Sequence, residues 1–258
     1  MKKTLLSLAM TATLGLVGTS AYAAAINVGG VILDPDSIFD FSTTDTMIET
    51  IVSAGDTLSG YGRIDNLNGT PVGTFCPGCE LTYTFTGYDA FAVGTGLSFT
   101  GGIVDIFVDF TPNFDTMSAL SAGDGTLWLS LAGHEYFDIL AGVDGTLHST
   151  GTPGPDVTGN GRGYLDVAGG LAEAQAIFNT NTFDLGVDGL ADFMFTSSFQ
   201  LLPGGATFTS DDGREYGLFG SNDFQGDAQI SEVPEPGTLG LFGLGMLGLA
   251  AARRRKSV

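Results

Sequence analysis

Lysine is absent from the interior of this 258-residue chain, occurring only at Lys2, Lys3 and Lys256. Between Asp34 and Glu235 the only cations are Arg63, Arg162 and Arg214, set against 29 acids, so that stretch carries a formal charge of −26. Phosphate recognition needs the opposite sign, which excludes nucleic acid as a partner. The same charge favours solubility and repels anionic surfaces. Only two cysteines and two histidines are present, and a zinc site would need two more soft ligands beside the cysteines. No repeat with a period of 20 to 50 residues runs through the chain, which argues against a solenoid or propeller.

Catalytic signatures are equally sparse. His134-Glu135-Tyr136-Phe137-Asp138 opens like the H-E-x-x-H helix of zinc proteases, but Asp138 stands where the second histidine belongs. Ser, His and Asp are available for a triad, yet no G-x-S-x-G elbow marks a nucleophile. Gly243-Leu-Gly-Met-Leu-Gly248 matches G-x-G-x-x-G only inside an apolar run, where it is no nucleotide loop. Asp105 and Asp109 share a strand face, but four residues along a strand separate them by about 13 Å, too far for either glycosidase geometry. Asp156, Asn160 and Asp166 suggest a calcium loop, with an exposed polar loop as the better reading, so Ca2+ stands as an option and no cofactor is assigned. Cys76-Pro-Gly-Cys79 lacks the following histidine of a haem site. After export it reads as a disulfide that shapes a turn, with a redox-active pair as the alternative.

What is abundant is alternation. In Leu81-Thr-Tyr-Thr-Phe-Thr86, Leu81, Tyr83 and Phe85 fall on one face and the threonines on the other. Ile103 to Phe110 repeats the pattern, with Val104, Ile106, Val108 and Phe110 on the apolar side, and Thr126 to Leu131 follows around Trp128. Phe193 to Phe199 and Ala206 to Thr209 read as late strands. Leu171 to Phe178 is the one helix of the body, and Pro153 to Gly163 is a glycine-rich loop. Short strands spaced by turns predict an all-β body over residues 24–232, an antiparallel β-sandwich or jelly-roll-like domain.

Both ends of the chain have a different character. Met1-Lys2-Lys3, an apolar stretch from Leu5 to Val17 and Ala21-Tyr22-Ala23 have the three regions of a secretory signal peptide, residues 1–23, with a signal helix cleaved after the Ala21-x-Ala23 pattern. At the other end, Val233-Pro234-Glu235-Pro236 precedes sixteen uncharged residues, Gly237 to Ala252, and then Arg253, Arg254, Arg255 and Lys256. Prolines on both sides of Glu235 hold that junction extended. The apolar run is a little shorter than the roughly 20 residues of a comfortable transmembrane helix. The cationic cluster acts as its cytoplasmic stop. The predicted anchor is therefore marginal.

The order Pro-Glu-Pro, Gly/Leu-rich span and Arg cluster resembles the PEP-CTERM sorting domain of Gram-negative bacteria, residues 233–258 here. That resemblance implies recognition by an exosortase, a membrane cysteine protease or transpeptidase acting at or near Pro234, Glu235 and Pro236. It also implies transient membrane attachment and secretion or surface display once the tail is removed. Phe75 to Gly87, Gly163 to Gly170, Phe178 to Thr182 and Phe195 to Phe199 are similar to stretches of PEP-CTERM proteins linked to the floc or biofilm matrix. The resemblance implies a non-enzymatic component of the exopolysaccharide matrix, contacting polysaccharide or matrix proteins. The alternative is a secreted polysaccharide-binding module or hydrolase, with acids and aromatics near Trp128, Tyr136 and Asp138. Ice binding through the Thr82, Thr84 and Thr86 row ranks last, since a single row stands where a flat array is required.

Overall fold

The computed structural model describes residues 25–34, 39–94, 96–151 and 158–229. The predicted signal peptide with Ala21 and Ala23, the Val233 to Pro236 junction, the transmembrane helix and the Arg253 to Lys256 stop all lie outside the described residues. Among the described residues no helix is long and apolar enough to cross a membrane.

The chain opens with a hairpin of β1 (Ile26–Val28) and β2 (Val31–Leu33), then enters the long strands β3 (Phe41–Glu49) and β4 (Thr57–Leu67). Asn68 and Gly69, both at positive φ, turn β4 back onto the short β5 (Thr70–Pro71), as a two-residue hairpin turn demands. A single helical turn, α1 (Val72–Phe75), leads into β6 (Glu80–Val93), β7 (Gly96–Asp109) and β8 (Thr126–His134). There follow β9 (Tyr136–Asp138), β10 (Val143–Gly145), β11 (Leu147–Gly151), β12 (Thr158–Gly170) and the two-turn helix α2 (Ala172–Phe178). The last elements are β13 (Phe183–Asp184), β14 (Leu190–Ala191), β15 (Phe193–Leu201), β16 (Phe208–Thr209), β17 (Glu215–Tyr216) and β18 (Leu218–Gly226).

The antiparallel all-β reading holds, and the sheet closes on itself. Strands β12, β15, β18, β3, β4, β6, β7 and β8 pair in that order, and β8 pairs back to β12. Eight staves leave an interior just wide enough for side chains to fill. Leu81, Tyr83 and Phe85 of β6 and Val104, Ile106 and Val108 of β7 point inward and are buried, as their alternation requires. Phe110 does not continue the row: it lies beyond the end of β7 and is 62% exposed.

Aromatic rings fill the interior by lying across glycines on the neighbouring strand. Phe85 is the register partner of Gly60 and Tyr83 of Gly62, while Phe195 faces Gly163, Phe199 faces Gly159 and Phe193 faces Gly226. A Cβ placed on Gly226 would meet the Phe193 ring at 2.3 Å, and one on Gly163 the Phe195 ring at 2.5 Å. This pairing corrects the loop reading of Pro153 to Gly163. From Thr158 onward the segment is strand, and Gly159, Gly161 and Gly163 sit at alternate positions because partner side chains occupy the space their own would need.

The eighth stave is assembled from two pieces. His134, at the end of β8, pairs with Tyr164, and Leu147, at the start of β11, pairs with the next residue, Gly163. β11 also continues along β7, with Leu147 opposite Phe99. Residues 135–146 thus leave the barrel wall and return to it without a break in register against β12, while against β7 the pairing shifts by one residue between Ala132 opposite Ile103 and Leu147 opposite Phe99; the β9–β10 hairpin is carried outside. Lower on the same stave a register shift between Ile106 and Phe107 leaves Trp128 between the paired Leu127 and Leu129, as a bulge does. Its indole N–H donates to the Val28 carbonyl, 2.8 Å away, and its ring packs on Phe41 and Phe178. With Phe193 these rings cap one end of the interior beneath α2.

A smaller cluster covers the outside of β3 and β4, where Ile48 and Tyr61 pack under Ala119, Ala122 and Tyr216. Glu49, in contrast, is buried without an ionic partner among the described residues, and desolvation pushes its carboxyl up to about 8. The folded chain therefore keeps a proton that the unfolded chain releases near 4.5. Its contribution is intact in acid and is lost as pH rises through the window from 4.5 to about 8.

Two outcomes follow for stability. Glu49→Gln should match the parent in thermal unfolding at pH 4.5 and exceed it at pH 8.5, with a difference on the order of several kcal/mol. Gly226→Ala should cost about 1–3 kcal/mol in urea unfolding by overpacking. Combining it with Phe193→Leu should cost less than the sum of the two single changes, because the ring is what the new methyl meets.

Candidate functional site

A large hollow lies across the outer faces of β11, β12, β15 and β18. Thr150, Asn160, Ser198 and Ser221 are successive register partners there, one from each strand. Neighbouring strands stand about 4.8 Å apart, so the row spans roughly 14 Å. A second row, His148, Arg162, Thr196 and Asp223, runs beside it. The residues between the rows, Gly161, Ser197 and Asn222, have the opposite parity and turn toward the interior. The hollow has two adjoining parts, of about 850 Å³ and 460 Å³, which share Thr150, Asn160, Ser198 and Ser221.

The smaller part sits over a parted seam. β3 and β18 pair from Leu218 to Gly220 and again from Gln225 to Gly226, but not between. Side chains replace the missing ladder bonds. The Asn222 N–H donates to the Asp45 carboxylate, the Phe224 N–H to the Thr43 hydroxyl at 2.9 Å, and the Thr43 N–H to Asp223 at 3.2 Å. Burial raises the Asp45 carboxyl well above its usual range, with Asp65 and Asp223 adding to the rise and the Asn222 N–H opposing it. Short hydroxyls and one amide on a rigid sheet offer donors and acceptors at little cost in side-chain entropy. Such a face can hold a hydroxyl-rich ligand along its length.

The residues singled out from the sequence fall elsewhere. Trp128 is in the core, and Tyr136 and Asp138 are buried at the base of the hairpin carried by residues 135–146. The Arg162 guanidinium grips Asp138 with two nitrogens, and Leu140 and Ala141 donate their N–H groups to the same carboxylate at 2.7 and 2.8 Å. Burial alone would raise the Asp138 carboxyl, but Arg162 and the two N–H donors hold it below its usual value. Tyr136 and Asp138 line a recess of about 360 Å³ that Trp128 does not reach, so the three do not share a cleft.

Of the histidines, His134 lies between the Asp166 carboxylate at 2.8 Å and the Asp188 carbonyl at 2.9 Å. Burial opposes the imidazolium, yet these two partners outweigh it and raise the histidine above its ordinary value. His148, at the edge of the smaller part of the hollow, meets the Ser98 hydroxyl at 2.8 Å, and Ser98 is itself 1% exposed.

Cys76 and Cys79 are joined, with Cα atoms 5.2 Å apart, in the turn before β6. Asp105 takes a hydrogen bond from the Ser130 hydroxyl and Asp109 one from the Thr111 N–H. Asn160 and Asp166 belong to strand β12 and not to a loop, while Asp156 lies outside the described residues. Among the described residues no three His, Cys, Asp or Glu side chains gather to hold a metal. Thr82 is buried and donates to the Ala122 carbonyl at 2.8 Å, so the Thr82, Thr84 and Thr86 row is partly roofed.

The polar hollow escaped the sequence because its rows combine four strands, and only the register brings Thr150 and Asn160 beside Ser198 and Ser221. The one local signal was the mixture of small polar residues with glycine along β12, which suggested a loop.

No curated protein and no solved structure matches the chain. A family model does: the PEP-CTERM protein-sorting motif matches residues 232–256. The match covers the segment where Pro234, Glu235 and Pro236 precede the apolar run and the arginines. The chain therefore carries a PEP-CTERM sorting motif, which marks it as an exported, exosortase-targeted protein of the cell surface or exterior.

Proposed function

We propose that the barrel is a non-enzymatic component of the extracellular matrix and that the hollow across β11, β12, β15 and β18 holds a neutral polysaccharide chain. The observation that carries this reading is the row Thr150, Asn160, Ser198 and Ser221, four short polar side chains in register over four strands. A pyranose chain presents hydroxyls along its length, and such a row meets them with hydrogen bonds that need no ordering of long side chains. The charge selects against acidic glycans, since 29 carboxylates against three arginines in the region from Asp34 to Glu235 repel uronic acids and sulfates. A binding role without chemistry is supported by the burial of Ser98, by the engagement of Asp138 with Arg162, and by the place of Trp128 in the core. Exosortase would act at Pro234, Glu235 and Pro236 and free the barrel from its transient anchor.

Two measurements test the two halves of this reading. In affinity electrophoresis the exported protein should be retarded by the neutral exopolysaccharide of its producing cells and by dextran, but not by alginate. Asn160→Ala with Ser198→Ala should weaken that retardation about tenfold without moving the melting temperature. Equal retardation of the double variant would remove the hollow from the proposal. In cells lacking exosortase, an antibody to the barrel should find a longer, membrane-bound form. Release of normal-length protein from such cells would show that processing does not depend on that enzyme.

A further inference from the structure

Against β12 the excursion of residues 135–146 takes up no register, because β8 and β11 meet that strand at consecutive positions, and it rejoins the wall through Thr146, whose N–H donates to the Phe99 carbonyl of β7 at 2.8 Å. The excursion lifts two aliphatic side chains into water: Ile139 is 86% and Leu140 77% exposed. A second loop from another part of the chain stands beside it and presents Val187, which is wholly exposed. The loops are tied together, since Asp188 accepts the Phe137 N–H at 2.9 Å and its carbonyl meets His134 at 2.9 Å. The tip itself is fixed. Asp138, held by Arg162, takes the Leu140 and Ala141 N–H groups, and Gly142 donates to the Asp138 carbonyl at 2.6 Å. Between the two loops lies a recess of about 360 Å³ with Tyr164, Leu185 and Met194 in its walls.

Isolated apolar side chains on a surface need no explanation, but an apolar group gathered from two tied loops, with Ile139, Leu140 and Leu185 lining a recess and Val187 beside Asp188 at its edge, marks an interaction site. We infer that the paired loop tips form a docking surface for a protein that offers an apolar knob ringed by lysine or arginine. The charges around the tips point to that partner. Glu135, Asp144 and Asp184 are exposed on the same two loops, while the Arg162 guanidinium from β12 beneath them is engaged by Asp138. A carboxylate rim selects a basic rim opposite it and disfavours a second copy of this chain, whose identical rim would face it across a two-fold axis. The recess favours a protruding side chain over the flat surface of a bilayer.

The test uses the exported protein and its Ile139→Ser, Leu140→Ser, Val187→Ser triple variant. All three positions are exposed, so the melting temperature should not change. The probe is a 14-residue amphipathic leucine–lysine peptide, titrated in parallel with an all-lysine peptide, a leucine–glutamate peptide and phosphatidylcholine vesicles. The expected result is that the leucine–lysine peptide binds the parent at least tenfold more tightly than the triple variant, and more tightly than either control peptide. Equal binding by parent and variant would overturn the proposal, as would preference for the leucine–glutamate peptide. Vesicle binding lost in the variant would assign the tips to lipid, and concentration-dependent dimerisation lost in the variant would assign them to a second copy. Either outcome replaces the proposal.

Discussion

An eight-stranded barrel of antiparallel strands has a fixed interior, and what fills it decides whether the sheet can close. Here the filling is done by rings laid over cross-strand glycines: Phe85 on Gly60, Tyr83 on Gly62, Phe195 on Gly163, Phe193 on Gly226. Each pair splits one shared volume unequally, so large and small positions alternate from stave to stave and the rings interleave. The rest of the architecture depends on that. The aromatic cap of Phe41, Trp128, Phe178 and Phe193 ends the same stack, and the small polar residues of β12 and β15 can face outward only because their neighbours satisfy the interior.

The same closure explains why charge can be tolerated on this body at such density. A closed sheet presents no long unpaired edge, so solubility does not have to come from guarding one. The acids are free to serve locally. Asp138 organises a turn, Asp45 and Asp223 bridge the parted seam between β3 and β18, and Asp188 joins two loops. Aspartate suits these places, because its short carboxylate bonds to backbone N–H groups nearby in the chain. Glu49 shows the opposite case, a longer acid folded inward with no ionic partner among the described residues and held in its protonated form by burial.

Legibility in the sequence followed the range of the cause. Leu81, Tyr83 and Phe85 announced an inward strand face because alternation is a local property, and the strand formed as read. The Cys76–Cys79 turn and the helix ending at Phe178 were local too. Gly159, Gly161 and Gly163 suggested a loop because glycine alone disfavours regular structure. Their reason for being in a strand lies more than thirty residues later, in Phe195, Ser197 and Phe199. Phe110 looked inward because the pattern continued for one residue more than the strand did. The row from Thr150 to Ser221 was invisible for the same reason as the glycines: it exists only once four separate strands are in register. The sorting motif could be read directly, since its proline, apolar and arginine parts act in the order in which they occur in the chain.

The two-piece stave gives the fold a place where content is decoupled from scaffold. His134 and Leu147 hold adjacent places against β12, so the exposed tip around Ile139 and Leu140 can be exchanged without shifting that ladder. Descendants of such a barrel can diversify what they display at one point while inheriting the same interior unchanged. A designer could use that junction as a socket for foreign peptides.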